Sequence, residues 1–419
     1  MIPNIIYPRF AMPRLEAALA DTPVLLIHGP RQCGKSTFAQ LAASRHGHRY
    51  LTFDDENVLR AAKDDPVGFC AELPDKVVID EVQRTPELFT SIKAMVDRDR
   101  RPGRMILTGS ANVLLLPKLA DSLAGRMEIL RLSPLAQVEI ENAGPGFGFL
   151  DALFNGQFGI VSGTRLGDRL IERVLCGGFP AALTRSTPRR RREWQVQYLE
   201  ALTQRDLRDF SRMRSLKTVP KLLELAAGQT ARLFNASELA SPFELSRPTI
   251  REYLTLLEQI FLIEMLPPWH SNRLSRLIKT PKLHMADTGL AAALLGSDTA
   301  ALKADRQLLG QLLETFAYQE MRRQATWSES SHRFYHYRDK DNLEVDVVIE
   351  RDGHSICGVE VKASSTVKSS DFKGLNRLKD ATGARFKCGI VLYDGDKSLP
   401  FGHQLFAVPF TRLWKSQPG

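Results

Sequence analysis

The 419-residue sequence predicts an α/β chain: a parallel sheet with helices first, a largely helical middle, and a second α/β domain at the end. Three observations predict it. Short apolar runs alternate with helical stretches through the first 140 residues, which implies a parallel sheet with right-handed crossovers. Between about residues 188 and 260 the apolar spacing is helical. From Gln307 the order reads helix, three strands, helix, strand.

The bulk numbers exclude some classes. Hydrophobic residues make up 43% and charged residues 25%, ordinary values for globular domains. The net charge of +9 suits a polyanionic partner, though plain solubility accounts for it equally well. Five cysteines, Cys33, Cys70, Cys176, Cys357 and Cys388, show no CxxC spacing, so neither a disulfide framework nor a zinc site is expected. The opening MIPNIIYPRF lacks a basic region leading into an apolar one. No apolar run approaches the roughly 20 residues of a membrane span. A cytoplasmic location, with no membrane contact, is the expectation.

Each element of the first region carries chemistry. VLLIHGPRQCGKST, residues 24 to 37, is a strand, a glycine-rich loop and a helix start. It has the GxxxxGK[ST] spacing in its required setting. Gly29, Pro30, Arg31, Gln32, Cys33 and Gly34 form the loop whose backbone N–H groups would wrap phosphates, with Thr37 just inside the helix. Lys35 would reach the β and γ phosphates of ATP, and Ser36 would take Mg²⁺. RYLTFDD, residues 49 to 55, is the second strand. KVVIDEVQ, residues 76 to 83, is the third and ends in paired acids. Asp80 would hold Mg²⁺, and Glu81 would orient or deprotonate the attacking water. RMILTGSAN, residues 104 to 112, is the fourth strand, with Ser110 or Asn112 placed to hold that water. Arg126, in SLAGRMEILRL, is either an arginine finger for a neighbouring subunit or a solvated strand-start arginine.

GPRQCGKST, VVIDEVQ, ILTGSAN and SLAGR together resemble the prokaryotic AAA+-like ATPases of the archaeal-ATPase type. That resemblance implies ATP hydrolysis at subunit interfaces and a homo-oligomer, a hexameric ring being one form. It also implies a C-terminal domain of uncharacterised function.

Residues 142 to 163 are rich in Gly and Phe and read as an insertion or loop. A run of four arginines, Arg189 to Arg192, opens the next helix as a solvated face or a phosphate contact. That helix carries Trp194, Tyr198, Leu199 and Leu202 at buried-stripe spacing. Helices are then expected over 218–228, 236–240 and 246–260, the last with Tyr253, Leu256, Leu257 and Ile260 on one side. Followed by FLIEML and KLHMAD, they make a winged helix-turn-helix pattern. Arg247, Thr249 and Arg251 would lead the longer helix onto DNA, with Arg273, Arg276 and Lys279 as a basic wing. A protein-interaction role suits the same pattern.

In the last region acids interrupt apolar strands, which is costly unless something uses them. The order of elements and acids resembles the PD-(D/E)xK nuclease core. On that resemblance Glu314, Asp346, Glu360 and Lys362 would surround one or two divalent metals. Glu360 and Lys362 are two apart on a strand and share a face, as do Glu344 and Asp346. Hard oxygen ligands suit Mg²⁺. A three-residue turn at 351–353, or another register of that parity, would set Asp346 and Glu360 on one face, with Gly358 opening room for the ion.

The expected organisation is a P-loop AAA+-like ATPase over 1–140 and a loop and helical connector or lid over 141–215. A winged-helix-like domain would follow over 216–290, and a restriction-endonuclease-like domain over 295–419. The expected activity is ATP hydrolysis acting on duplex, forked or branched DNA, with motor, helicase or branch-remodelling forms and a nuclease-like C-terminal domain. The alternative is a nucleotide-dependent switch whose C-terminal domain binds a protein partner.

Overall fold

The computed structural model describes residues 6–110, 123, 125–142, 144, 148–206, 218–243, 245–272 and 280–415. The chain forms two compact units, Tyr7–Leu135 with Gln259–Phe261, and Ala136–Glu258 with Leu262–Gly419.

In the first unit, β1 (Val24–His28), β2 (Arg49–Thr52), β3 (Val77–Asp80), β4 (Met105–Gly109) and β5 (Met127–Arg131) make a sheet of order β2-β3-β4-β1-β5. Every pairing in it is parallel, as the alternation of strand and helix predicts. Strand alternation divides the core. Leu26, Ile79 and Leu107 pack on one face with Phe53, Phe89 and Ile92. Leu25, Ile27, Val78 and Ile106 pack on the other with Leu15, Phe38 and Ala39. Burying each such side chain stabilises the unit by about 1.5–3 kcal/mol. Helices α1 (Met12–Asp21), α2 (Lys35–His46), α3 (Glu56–Asp64), α4 (Pro66–Ala71) and α5 (Leu88–Arg98) cover the faces. All five strands run the same way, so their carboxyl ends share one edge. The loop after β1, Asp80 at the end of β3 and Ser110 beyond β4 all lie on that edge.

The second unit is built on a seven-stranded mixed sheet. Its strands are β6 (Val161–Ser162), β10 (His332–Arg338), β11 (Glu344–Arg351), β12 (Ser355–Lys362), β13 (Phe386–Tyr393), β14 (Lys397–Pro400) and β15 (Leu405–Pro409). A three-stranded sheet joins β7 (Arg232–Leu233), β9 (Lys282–Met285) and β8 (Ile263–Leu266) in that order. The helices relevant to function are α6 (Pro188–Ala201), α7 (Val219–Gly228), α8 (Ala236–Ala240), α9 (Arg247–Gln259), α10 (Arg306–Ala325) and α11 (Lys373–Thr382). The large sheet runs β10-β11-β12-β13-β15-β14-β6, and α10, β10, β11, β12, α11, β13 follow in the predicted order.

Two expectations change. The Gly/Phe-rich stretch is not merely a loop: Phe149–Phe154 is helical and buries Phe149, Leu150, Leu153 and Phe154. Beyond it β6 pairs with β14 and extends the large sheet. Apolar side chains at that density are stabilised by burial, which the glycines around them obscured. In α9 the buried stripe is Ile250, Tyr253, Leu254 and Leu257, the i, i+3, i+4, i+7 pattern, with Leu256 half-exposed. On α6, Arg189 and Arg190 both pair with Glu193, at 3.0 and 2.7 Å. The expected wing residues Arg273, Arg276 and Lys279 lie outside the described residues.

Candidate functional site

The hairpin of β11 and β12 turns at Asp352-Gly353-His354, between the paired residues Arg351 and Ser355. Asp352 and Gly353 both take positive φ, 51° and 74°. This three-residue turn lies one position beyond the expected one, and the parity is the same. Gly358 therefore pairs with Val348 instead of Asp346. Gly358 also does not open room for an ion. A Cβ there would come within 2.6 and 2.9 Å of the Leu375 and Leu378 side chains, so the glycine is where α11 packs on the sheet.

Asp346 precedes the Val347–Val359 pair on the side of Glu360, and its charge acts on Glu314, Glu360 and Lys282. The pairing of β10 with β11 shifts register between Tyr335 and Tyr337, a bulge that falls at residues 346 and 347 of β11. Glu344 pairs with Arg338 at 3.0 Å. Asp346 turns toward the backbone of β12, where its Oδ2 accepts from the Val361 N–H at 2.9 Å. The three acids expected around a metal divide their ion pairs between two lysines. Glu360 pairs with Lys362 at 3.0 Å. Glu314 and Asp346 pair instead with Lys282, whose Nζ lies 2.8 Å from Glu314 Oε1 and 3.1 Å from Asp346 Oδ1. Among the described residues no group of three or more His, Cys, Asp or Glu side chains is arranged to hold a metal.

Lys282, on β9, is 4% exposed at its side chain. Burial works against its charge, but Glu314 and then Asp346 more than offset that, and its pKa is raised. Burial, then the Asp346 charge, holds the Glu314 carboxyl well above the usual carboxylate range. Glu360 is raised by the same two causes in spite of Lys362. His284, fully buried beside this cluster, is held neutral by burial and then by Lys282. Lys282 thus supplies one positive charge between two acids in a dry place, satisfied by hydrogen bonds.

At the sheet edge of the first unit, the sequence motif becomes a nucleotide cradle. Gly29 and Gly34 serve different needs. A Cβ on Gly29 would lie 2.0 Å from the Leu132 carbonyl oxygen, so only glycine allows the loop to pass that strand end. Gly34 has φ 100° and lets α2 start with its N–H groups facing the loop. Gln32 also takes a positive φ, 59°. Cys33 is buried and donates to the Leu132 carbonyl at 3.3 Å. Arg9 ties the loop down by donating to the carbonyls of Cys33 at 2.8 Å and Ser133 at 2.6 Å. Gln32 and Thr37 are exposed, Arg31 is half-buried, and Lys35 is buried with its ammonium on the Pro30 carbonyl at 2.9 Å.

The acids sit opposite. Ser36 Oγ donates to Asp80 Oδ1 at 3.2 Å, and Tyr50 donates to Asp80 Oδ2 at 2.6 Å. Thr108 makes a short hydrogen bond to Asp80 and accepts from the Glu81 N–H at 3.2 Å. Glu81 takes a left-handed backbone, φ 59°, and its carboxylate meets the Gln83 amide, which also donates to Ser110 Oγ at 3.0 Å. His28, where β1 meets the loop, is lowered to about 3 by burial, then Arg131, then Lys35. It therefore adds no charge beside the phosphate site. Arg126 is engaged within its own chain by Asp97 on α5, through Nε at 2.6 Å and Nη2 at 3.0 Å. Asn112 lies outside the described residues.

Comparison with known proteins agrees with this edge. Residues 21–141 match a family model described as an AAA domain. Residues 167–301 and 309–413 match two domains of unknown function, DUF8612 and DUF4143. The uncharacterized protein Rv2008c of Mycobacterium tuberculosis is 30% identical over 410 residues, covering 98% of this chain and 85% of that protein. The chain belongs to the same family. It is an AAA-type P-loop ATPase. The uncharacterized protein MJ1544 of Methanocaldococcus jannaschii is 22% identical over 96% of this chain and 89% of its own length. Among solved structures, the Walker-type ATPase PABY2304 of Pyrococcus abyssi is similar at TM-score 0.40 and 18% identity, over 69% of this chain and 96% of that one. The RuvB Holliday junction branch migration motor of Thermotoga maritima is similar at TM-score 0.25 and 17% identity, over 61% and 89%. At these scores neither likeness bears on what this ATPase acts on.

The donor set of the ATPase fits a nucleotide with Mg²⁺. A hydroxyl and a carboxylate within 3.2 Å are hard oxygen donors, and Mg²⁺ takes one or two of these beside phosphate oxygens. Ser36 and Asp80 would hold the ion, which would neutralise charge on the transferring phosphoryl group. Sequence reasoning missed Arg9, Tyr50, Gln83 and Thr108, whose side chains reach the site from other strands and turns. It also missed Lys282, although a lysine inside KLHM is the same signal that singled out Asp346. No helix among the described residues is long and apolar enough to cross a membrane.

Proposed function

We propose that this ATPase acts on DNA, that α8 and α9 contact the duplex, and that the C-terminal domain grips without cutting. One observation carries the DNA reading. A groove of about 680 Å³ runs along α9, lined by Arg247, Arg251, Thr255 and, toward the helix end, Glu258, and faced by Asn235, Ser237 and Thr280. Arg247 and Arg251 stand one helical turn apart and are exposed. A short helix, a turn, a longer helix and then strands is the winged helix-turn-helix order, in which the longer helix leads into the major groove. Two arginines at its start suit phosphates flanking that groove.

The non-cutting half of the reading is supported by Lys282. In the nuclease-like arrangement a divalent ion would stand between Glu314 and Asp346, and here an ammonium bridges those acids. A lysine carries half the charge of that ion and offers no open coordination position for a phosphate.

The test is ATP turnover with single-stranded, duplex and forked DNA, together with DNA binding across a salt series. Turnover should rise with DNA, and Arg247→Ala/Arg251→Ala should flatten the log–log salt dependence of binding by about 2. Turnover indifferent to every DNA, with no salt-sensitive binding, sinks the DNA reading in favour of a nucleotide switch for a protein partner. DNA cleavage in Mg²⁺ or Mn²⁺ that is lost in Asp346→Ala overturns the non-cutting half. The proposal includes assembly of copies with Arg126 acting across subunits, for which Arg126 must leave Asp97. Mixing Arg126→Ala with Glu81→Gln chains should then restore turnover, and no recovery removes that role.

A further inference from the structure

Asp80 is held asymmetrically. Ser36 and Thr108 both bond to its Oδ1, while Oδ2 receives the Tyr50 hydroxyl at 2.6 Å. A carboxylate turns easily about its last torsion, where the rotamer wells are broad. Two donors on one oxygen leave that rotation open, and a donor on the other closes it. The sheet register explains why a tyrosine does this. β2 and β3 pair with Thr52 opposite Asp80 and Tyr50 opposite Val78. Tyr50 is thus two residues before the position opposite Asp80, on the same face, a gap that only a long side chain spans. The ring packs with the α2 side of the core, and its hydroxyl also meets Ser36 and Gln40, one turn apart on α2.

We infer that Tyr50 is a positioning residue for the Mg²⁺ requirement of ATP hydrolysis: it fixes the plane of the Asp80 carboxylate with Oδ1 toward Ser36, the two residues that would hold the ion. The inference rests on the ATPase activity and is independent of any DNA role.

The experiment is Tyr50→Phe in the full chain, which removes the hydroxyl and keeps the ring. Binding of a fluorescent ATP analogue is titrated with Mg²⁺ and repeated in EDTA. Loss of one hydrogen bond to a charged group should raise half-saturating Mg²⁺ by about tenfold. Analogue affinity in EDTA should stay within about twofold, and kcat should recover at saturating Mg²⁺. Adding Tyr50→Phe to Asp80→Asn should then change the Mg²⁺ requirement little, because the residue acts through Asp80. An unchanged Mg²⁺ midpoint overturns the proposal. So does a lower midpoint, which would mean that Tyr50 competes with the ion. An equal loss in EDTA also overturns it, since the hydroxyl would then serve the fold of the loop rather than the metal.

Discussion

Replacing Lys282 with methionine keeps most of the length of the side chain and deletes its charge. In the wild type the ammonium bridges Glu314 and Asp346 at 2.8 and 3.1 Å, almost out of contact with water. Breaking a buried pair by removing one partner costs roughly 3–5 kcal/mol, because the remaining charge is left uncompensated. Two acids are left here, so one of them will take a proton. In the variant the folded-state pKa of Glu314 rises further above its unfolded value, and the native state binds more protons across that window. Stability then falls as pH rises through it, by up to about 1.4 kcal/mol per pH unit. The loss should therefore be larger at pH 8 than at pH 5. All four tryptophans, Trp194, Trp269, Trp327 and Trp414, lie in the same unit as Lys282 and none in the other, so their fluorescence reports this unit selectively. At an m-value of about 3 kcal/mol/M, a 4 kcal/mol loss moves the urea midpoint by about 1.3 M. Lys282→Met/Glu314→Gln should be more stable than Lys282→Met alone, since the second substitution removes the stranded acid. A single variant within about 1 kcal/mol of wild type at pH 8, or a double variant less stable than the single, would falsify the view of Lys282 as the cluster's cation. Added Mg²⁺ or Mn²⁺ should leave the wild-type midpoint unmoved, and a rise would mean that an ion finds room there after all.

Lys35→Ala should reduce ATP turnover by at least about 10²-fold, since the buried ammonium beside Pro30 is then missing from the phosphates. Glu81→Gln should keep nucleotide binding and lose turnover by about 10²-fold or more, which equilibrium binding beside steady-state hydrolysis will separate. Gly29→Ala should weaken nucleotide binding more than Thr37→Ala, because its Cβ would strike the Leu132 backbone whereas Thr37 is exposed. Glu320 is buried, accepts from the Gln137 N–H at 2.8 Å, and is raised by burial from 4.5 to about 7. Its raised pKa makes the native state bind the extra proton, so its contribution to stability falls by about 3 kcal/mol as pH rises from 4.5 to 7. Tryptophan-monitored unfolding of Glu320→Gln should show a correspondingly flatter pH profile over that range, and identical profiles would refute the assignment.

How much of this was legible in the sequence follows from how local each determinant is. The nucleotide loop needs only backbone freedom, a lysine and a hydroxyl within nine residues, and its strand and helix are adjacent in the chain. The paired acids of β3 are equally local, because they end an apolar run. The partners that orient them are not. Tyr50 and Thr108 reach Asp80 from neighbouring strands 30 and 28 residues away, and only the sheet order β2-β3-β4 brings them together. Nothing within RYLTFDD distinguishes that tyrosine from one that merely packs.

The hairpin of β11 and β12 shows the other side of the same rule. Its turn length and parity were readable, because a glycine preceded by an aspartate in a three-residue loop leaves few registers. What the acids do there was not readable, because their cation arrives from β9, 64 residues before Asp346. Period-2 reasoning placed Glu344 with Asp346, and the charges of both act on Lys282, although Glu344 pairs with Arg338 and only Asp346 bonds to Lys282. Acids in a buried strand do require a counter-charge, as the cost of burial dictates. Element order alone does not decide whether that counter-charge is a metal that can do chemistry or a lysine that holds the domain in place. Here Lys282 bridges Glu314 and Asp346 in that place.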